Sequence, residues 1–179
     1  MKTIKKISVL FVATVISSLM LSCSKSKDGG GEGAAAEGTI TAKVNGASVT
    51  TIKMTSQATA MHGTLVIQGT AGSTTSKTFS IQVQGFEGVG TYDIGGGSTG
   101  LGAAQAQYIE IVVDPANPTA FKESIWGGPY DEGFKAGEIK VAEYEAGNHI
   151  KGTFFFEAKN PDDGSKKNIT DGSFNLKLK

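Results

Sequence analysis

Thr78 to Gln84 reads TFSIQVQ, with Phe79, Ile81 and Val83 alternating against Ser80, Gln82 and Gln84. A period of two that gathers Phe, Ile and Val on one side describes a strand with one buried and one wet face. The pattern recurs outward from it in both directions. Thr39 to Val44 (TITAKV) meets Asn45-Gly46, the pair best suited to a two-residue hairpin turn, and Ala47 to Met54 (ASVTTIKM) returns. Thr64 to Gly69 (TLVIQG) and the short Gly90 to Ile94 (GTYDI) read as further strands. Gly95 to Gly102 reads as a glycine-rich connector; no Lys-Ser/Thr pair follows it, so it is not a phosphate loop. Gln105 to Asp114 (QAQYIEIVVD) resumes with Ile109, Ile111 and Val113 on one face.

Gly137 to Glu145 and His149 to Ala158, joined by Ala146-Gly147-Asn148, form a second expected hairpin. Its second arm places Ile150, Gly152, Phe154, Phe156 and Ala158 inward and leaves Phe155 on the outer face with Lys151, Thr153 and Glu157. Asn160 to Ser165 (NPDDGS) is turn chemistry rather than a calcium loop, which needs alternate carboxylates and a distant bidentate acid. Lys167 to Lys179 closes the chain with Phe174, Leu176 and Leu178 alternating. The expectation is an all-β fold, a single antiparallel β-sandwich or closed β-barrel of eight or nine strands. Gly at 25 of 179 residues, about twice average usage, fits many turns and few helices.

The N-terminus is of another kind. Lys2, Lys5 and Lys6 precede the uncharged stretch Ile7 to Leu21, which is shorter than the roughly 20 residues needed to span a bilayer. Residues 1–22 read as a secretory signal peptide. Met20, Leu21 and Ser22 before Cys23 resemble the bacterial lipobox, which implies diacylation of the Cys23 thiol, cleavage before it and acylation of the new amine. Several acyl chains, each buried methylene contributing about 0.8 kcal/mol, hold a protein on a membrane where one chain barely does. Cys23 is the only cysteine, so no intramolecular disulfide can form. Residues 23–38 then read as the lipidated Cys and a flexible Gly-rich tether, and 39–179 as the β domain. Lys25 to Asp28 is similar to the signals that carry some Gram-negative lipoproteins to the outer face of the outer membrane, so the expected location is the outer membrane, with surface exposure as the further step.

Without residues 1–22 the chain has 14 Lys against 17 acids, a net −3, and no Arg. Nucleic-acid binding needs a dense basic surface, and base and phosphate recognition favours Arg, so nucleic acid is excluded as a partner. AKVNG at Ala42 to Gly46, GTY at Gly90 to Tyr92 and GTFFFEAKNPDDGSKKNITDGSFNLKL at Gly152 to Leu178 resemble an uncharacterised family of bacterial outer-membrane lipoproteins. That resemblance implies fold and location and carries no activity.

Pro115 to Ala136 (PANPTAFKESIWGGPYDEGFKA) is the longest aperiodic stretch and holds the only Trp. Read as a loop, it presents Trp126 and Tyr130 as an aromatic platform for a sugar or peptide, with Asp131, Glu132 and Lys122 as polar neighbours. Read structurally, Trp126 plugs one end of the body, or SIWGG is an edge strand. His62 and His149 lack companions at ligand spacing, so neither a metal nor another cofactor is expected. The functional expectation is a non-enzymatic module, membrane-bound through its lipid anchor, that binds an extracellular glycan or protein. The alternatives are an envelope hydrolase using two of Glu110, Asp114, Asp131 and Glu132, and a structural component of a surface assembly.

Overall fold

The computed structural model describes residues 34–96 and 104–179. The signal peptide, Cys23, most of the tether and residues 97–102 of the glycine-rich connector lie outside the described residues. Eleven strands follow one another: β1 (Thr39–Val44), β2 (Ala47–Thr50), β3 (Gln57–Met61), β4 (Thr64–Ala71), β5 (Thr75–Gln84) and β6 (Gly90–Gly95). Then come β7 (Ala104–Asp114), β8 (Asn117–Gly128), β9 (Lys135–Glu145), β10 (His149–Lys159) and β11 (Lys166–Lys177). They form one sheet in the order β2-β1-β11-β10-β9-β6-β7-β5-β4-β3, with β8 on β7 and touching the end of β10.

The sheet curls until its ends meet on β11. One edge of that strand carries β1 from Ile169 to Asn175, and just beyond it Leu178 bridges Ala58 of β3, where the Lys179 N–H reaches the Ala58 oxygen at 3.0 Å. The body is therefore all-β and barrel-like. Its pairs are antiparallel except Ile94↔Ala104 between β6 and β7 and the Ala58↔Leu178 bridge. Period-two alternation decides what goes inside: Ile40, Ala42 and Val44 from β1, Phe79, Ile81 and Val83 from β5, and Ile150, Phe154, Phe156 and Ala158 from β10 are all buried. Trp126, Tyr108, Phe79, Phe154 and Phe156 make a chain of ring contacts through this interior, with centroids 5.5–6.2 Å apart.

Four expectations are corrected. Eleven strands replace eight or nine, because β3 and β8 carry little β-branched or periodic signal. The stretch Pro115 to Ala136 is mostly strand: β8 pairs β7 from Asp114↔Asn117 to Ala106↔Gly128, so SIWGG is strand, as the structural reading had it. The return strand after Asn45-Gly46 ends at Thr50, and a 3-10 turn at Lys53–Thr55 follows. The tether is held before its expected end, since the Ala35 N–H donates to Ser173 Oγ at 2.8 Å and the Gly38 N–H to the Asn175 oxygen at 2.7 Å.

The Asn45-Gly46 hairpin forms as expected, with φ of 49° and 85°, and Asn45 Oδ1 also accepts the Asn168 N–H at 2.8 Å. His62-Gly63 is a second turn of the same kind, φ 50° and 72°, between β3 and β4. This gives His62 a turn role. Asn160 to Ser165 is a turn built on its own backbone: Asn160 Oδ1 accepts the Asp162 N–H at 2.8 Å, and Asp163 Oδ1 accepts the Ser165 N–H at 2.8 Å.

Candidate binding site at the barrel end

β7 and β8 share their register with β6 and β10 only near Ala104 and Gly127; from Trp126 back to Asn117, β8 pairs with no described strand other than β7. On its other edge β7 is laddered to β5 from Val83↔Ala104 to Thr75↔Val112, so the hairpin is an arm of the sheet, with β8 as its edge, that runs on beyond the ends of β6 and β10. Along the arm the polarity of the two faces is exchanged. Ala104, Ala106 and Tyr108 fill the interior, so Ile109, Ile111 and Val113 fall on the outer face, where Ile109 pairs Ile125 and Val113 pairs Phe121. On that face Phe121 is 65% exposed and Ile125 39%. Apolar side chains in such a cluster mark interaction surfaces more often than scattered ones do.

Below the arm, at the mouth of the interior, Tyr108 and Trp126 are cross-strand partners and both are buried. The Tyr108 hydroxyl donates to Glu110 Oε1 at 2.7 Å, and the Trp126 indole N–H donates to Ser165 Oγ at 2.9 Å. Lys167 Nζ lies 3.4 Å from Glu110 Oε1, 4.5 Å from the Trp126 ring centre and 5.8 Å from that of Tyr108. Burial, then the hydrogen bond and negative charge of Glu110, push the Tyr108 hydroxyl well above the usual phenol range.

Lys166, one residue earlier and on the opposite face, repeats the arrangement outside. Its Nζ donates to Glu157 Oε1 and to the Tyr130 hydroxyl, both at 3.0 Å, and lies 4.9 Å from the Tyr130 ring centre. The Tyr130 hydroxyl also donates to Glu157, and Phe134 packs on its ring at 4.7 Å. The Tyr130 hydroxyl, then Lys166, hold the Glu157 carboxyl below the usual range; Glu157 in turn raises the Tyr130 pKa. Strand alternation explains the pair of clamps, because consecutive residues of β11 must point to opposite faces.

The expected platform is not formed. Trp126 is 6% exposed and faces inward, whereas Tyr130 is half-buried on the outer face, on the far side of Gly127, Gly128 and Pro129. Asp131 is exposed in the turn that its carbonyl closes by accepting the Phe134 N–H at 3.2 Å. Trp126 plugs the body, as the structural reading had it. Two of the candidate carboxylates are engaged separately: Glu110 by Tyr108 and Lys167, and Asp114, whose Oδ1 accepts the Ala116 N–H at the arm's tip. Four residues along one strand separate these two acids by roughly 13 Å, more than the span of a glycosidase pair. The signal that sequence reasoning missed was Lys166-Lys167 with Glu110 and Glu157, which only the sheet register brings together.

At the other end of β10, His149 stands between Glu143 and Glu145, with N···O distances of 3.2 and 3.3 Å. It borders an open hollow of about 310 Å³ lined by Glu37, Asn148, Lys151, Asn175 and Lys177 among others. Lys151 is paired with Glu143 at 3.1 Å and Lys177 with Glu37 at 3.8 Å. Among the described residues no group of three or more His, Cys, Asp or Glu could hold a metal ion, and no helix is long and apolar enough to cross a membrane. No curated protein and no solved structure matches the chain. A family model does match, over residues 36–176, which is the barrel with the held end of the tether, and the chain belongs to that family, a domain of unknown function (DUF6252).

Proposed function

We propose that the chain is a lipid-anchored outer-membrane protein whose β domain, without catalytic chemistry, docks a partner protein through the β7–β8 arm. The observation that carries this reading is the outward apolar face of the arm, with Phe121 at 65% and Ile125 at 39% exposure. A glycan ligand loses its support with the burial of Trp126, because sugar stacking needs an exposed ring face. The lipobox at Cys23 supports the anchor. The same apolar face also suits a component of a larger surface assembly, in which the partner is permanent rather than exchanged.

Two measurements test this reading. Cys23→Ala is expected to release the protein from the membrane fraction, and external protease is expected to digest the wild-type domain on intact cells; retention of the variant on membranes removes the anchor. A photo-crosslinking residue in place of Phe121 is expected to give a discrete protein adduct in intact cells, while one in place of Thr91, exposed on β6, gives none. Equal, diffuse labelling from both positions removes the arm as a docking surface.

A further inference from the structure

We propose that the barrel mouth is a binding site for a primary alkylammonium group, filled in the free chain by the chain's own Lys167. The walls are the Trp126 and Tyr108 rings and the Glu110 carboxylate, all within 6 Å of the Lys167 ammonium. Their own donors are committed: the indole N–H to Ser165 and the Tyr108 hydroxyl to Glu110. What remains to recognise a guest is two electron-rich ring faces and carboxylate lone pairs, a combination that selects a cation carrying N–H donors over an anion or a neutral alkyl group.

The walls do not depend on Lys167 for their placement. Tyr108 and Trp126 are registered by β7–β8 pairing, Trp126 is fixed further by Ser165, and Glu110 is two residues from Tyr108 on the same strand. Lys167 enters as a flexible stem from β11, the one component able to leave without moving the others. Side-chain exposures of 20% for Lys167 and 22% for Glu110 put the pair at the edge of solvent, open to exchange yet partly shielded. The ammonium could come from a lysine side chain of a partner seated on the arm or from a free amine. Only the first source rests on the docking reading above.

Trp126 is the only tryptophan, so indole emission reports the site directly. The full chain carrying Lys167→Ala is titrated with butylammonium chloride, with 1-butanol as the neutral control, and with the peptide acetyl-Gly-Lys-Gly-amide. A saturable emission change with butylammonium and none with 1-butanol is expected. The wild-type chain should respond at least about tenfold more weakly, since its tethered Lys167 competes at a high effective concentration. A Lys167→Ala chain too unstable to fold should be refolded by butylammonium. No response or rescue, or an equal effect of 1-butanol, overturns the proposal. Response to butylammonium without response to the peptide keeps the site and assigns it to free amines; the arm then stands or falls on its crosslinking result.

Discussion

Gly152 lies on the inner face of β10, opposite Val141 of β9 and Phe174 of β11. A Cβ there would run into the backbone oxygen of Lys140 and the ring of Phe174, both well inside van der Waals contact. The ring has some freedom, but the oxygen belongs to the β9–β10 ladder in the middle of the sheet and moves only if that ladder opens. Overpacking of this kind costs about 1–3 kcal/mol, and the backbone contact argues for about 3. For a urea slope near 2 kcal/mol per molar, Gly152→Ala lowers the unfolding midpoint by about 1.5 M. Gly127→Ala is the matched control. It has no heavy atom within 4 Å of the added Cβ and no positive φ, so it should leave the midpoint unchanged or raise it through the roughly 0.4–1 kcal/mol lost from unfolded-chain entropy. Equal midpoints for the two variants, at equal slope, would refute the claim that close packing across β9–β10–β11 selects glycine at 152.

Trp126→Phe keeps a ring in the mouth but removes the indole N–H bonded to Ser165, and should cost about 1–2 kcal/mol in urea unfolding; a neutral result means that bond does not hold the arm to the β10–β11 turn. Asn45→Ala places alanine at a φ of 49° and strips the Asn168 N–H of its acceptor, for an expected loss of about 1–2 kcal/mol, read as a lower thermal midpoint. The carboxyl of Glu157 is depressed by the Tyr130 hydroxyl and Lys166, so its stabilisation is present above the unfolded carboxyl pKa of about 4.3 and is lost as pH falls through the lower folded value. Thermal midpoints of wild type and Glu157→Gln should therefore differ at pH 6 and converge towards pH 3; a constant gap would assign the effect to packing instead. Exposure of this cluster to solvent keeps the difference small.

Where one face of a strand was clearly apolar and the other clearly polar, the sequence alone identified the buried side. Phe79, Ile81 and Val83 point inward against Ser80, Gln82 and Gln84, and Ile150, Phe154 and Phe156 do so on β10. β7 defeats the same rule because both of its faces are apolar. Ile109, Ile111 and Val113 look like the core set, yet the interior beside Phe79, Ile81 and Val83 is taken by their β5–β7 partners Tyr108, Ala106 and Ala104. β3 (QATAM) was passed over because Gln, Ala and Met carry no strand preference; it is held by its β4 ladder and by Leu178 and Lys179. β8 was passed over because it is an edge strand, where neither face is selected for burial before Trp126 and Lys122, Glu123 and Ser124 break any alternation.

The candidate site was less legible for a related reason. Trp126 and Tyr130 are close in sequence, and a loop would have kept them together, but a strand ending at Gly128 and a turn after it send them to opposite faces. Their true partners are distant: Tyr108 and Lys167 for the tryptophan, Glu157 and Lys166 for the tyrosine. β8 has one backbone pairing to β10, at Gly127, so these side chains with Ser165 supply most of what joins the arm to β10 and β11. The arm's angle to the barrel, and with it the direction in which Phe121 and Ile125 face, is set by the β5–β7 ladder from Thr75↔Val112 to Val83↔Ala104, to which the two lysine clamps add side-chain ties on the β10–β11 side. Removing the inner one empties the mouth and leaves the ladder-held rings in place, whereas removing the outer one acts through contacts that water already screens. On this argument the backbone ladder governs how the docking face is presented, and Lys167 governs whether the mouth is filled.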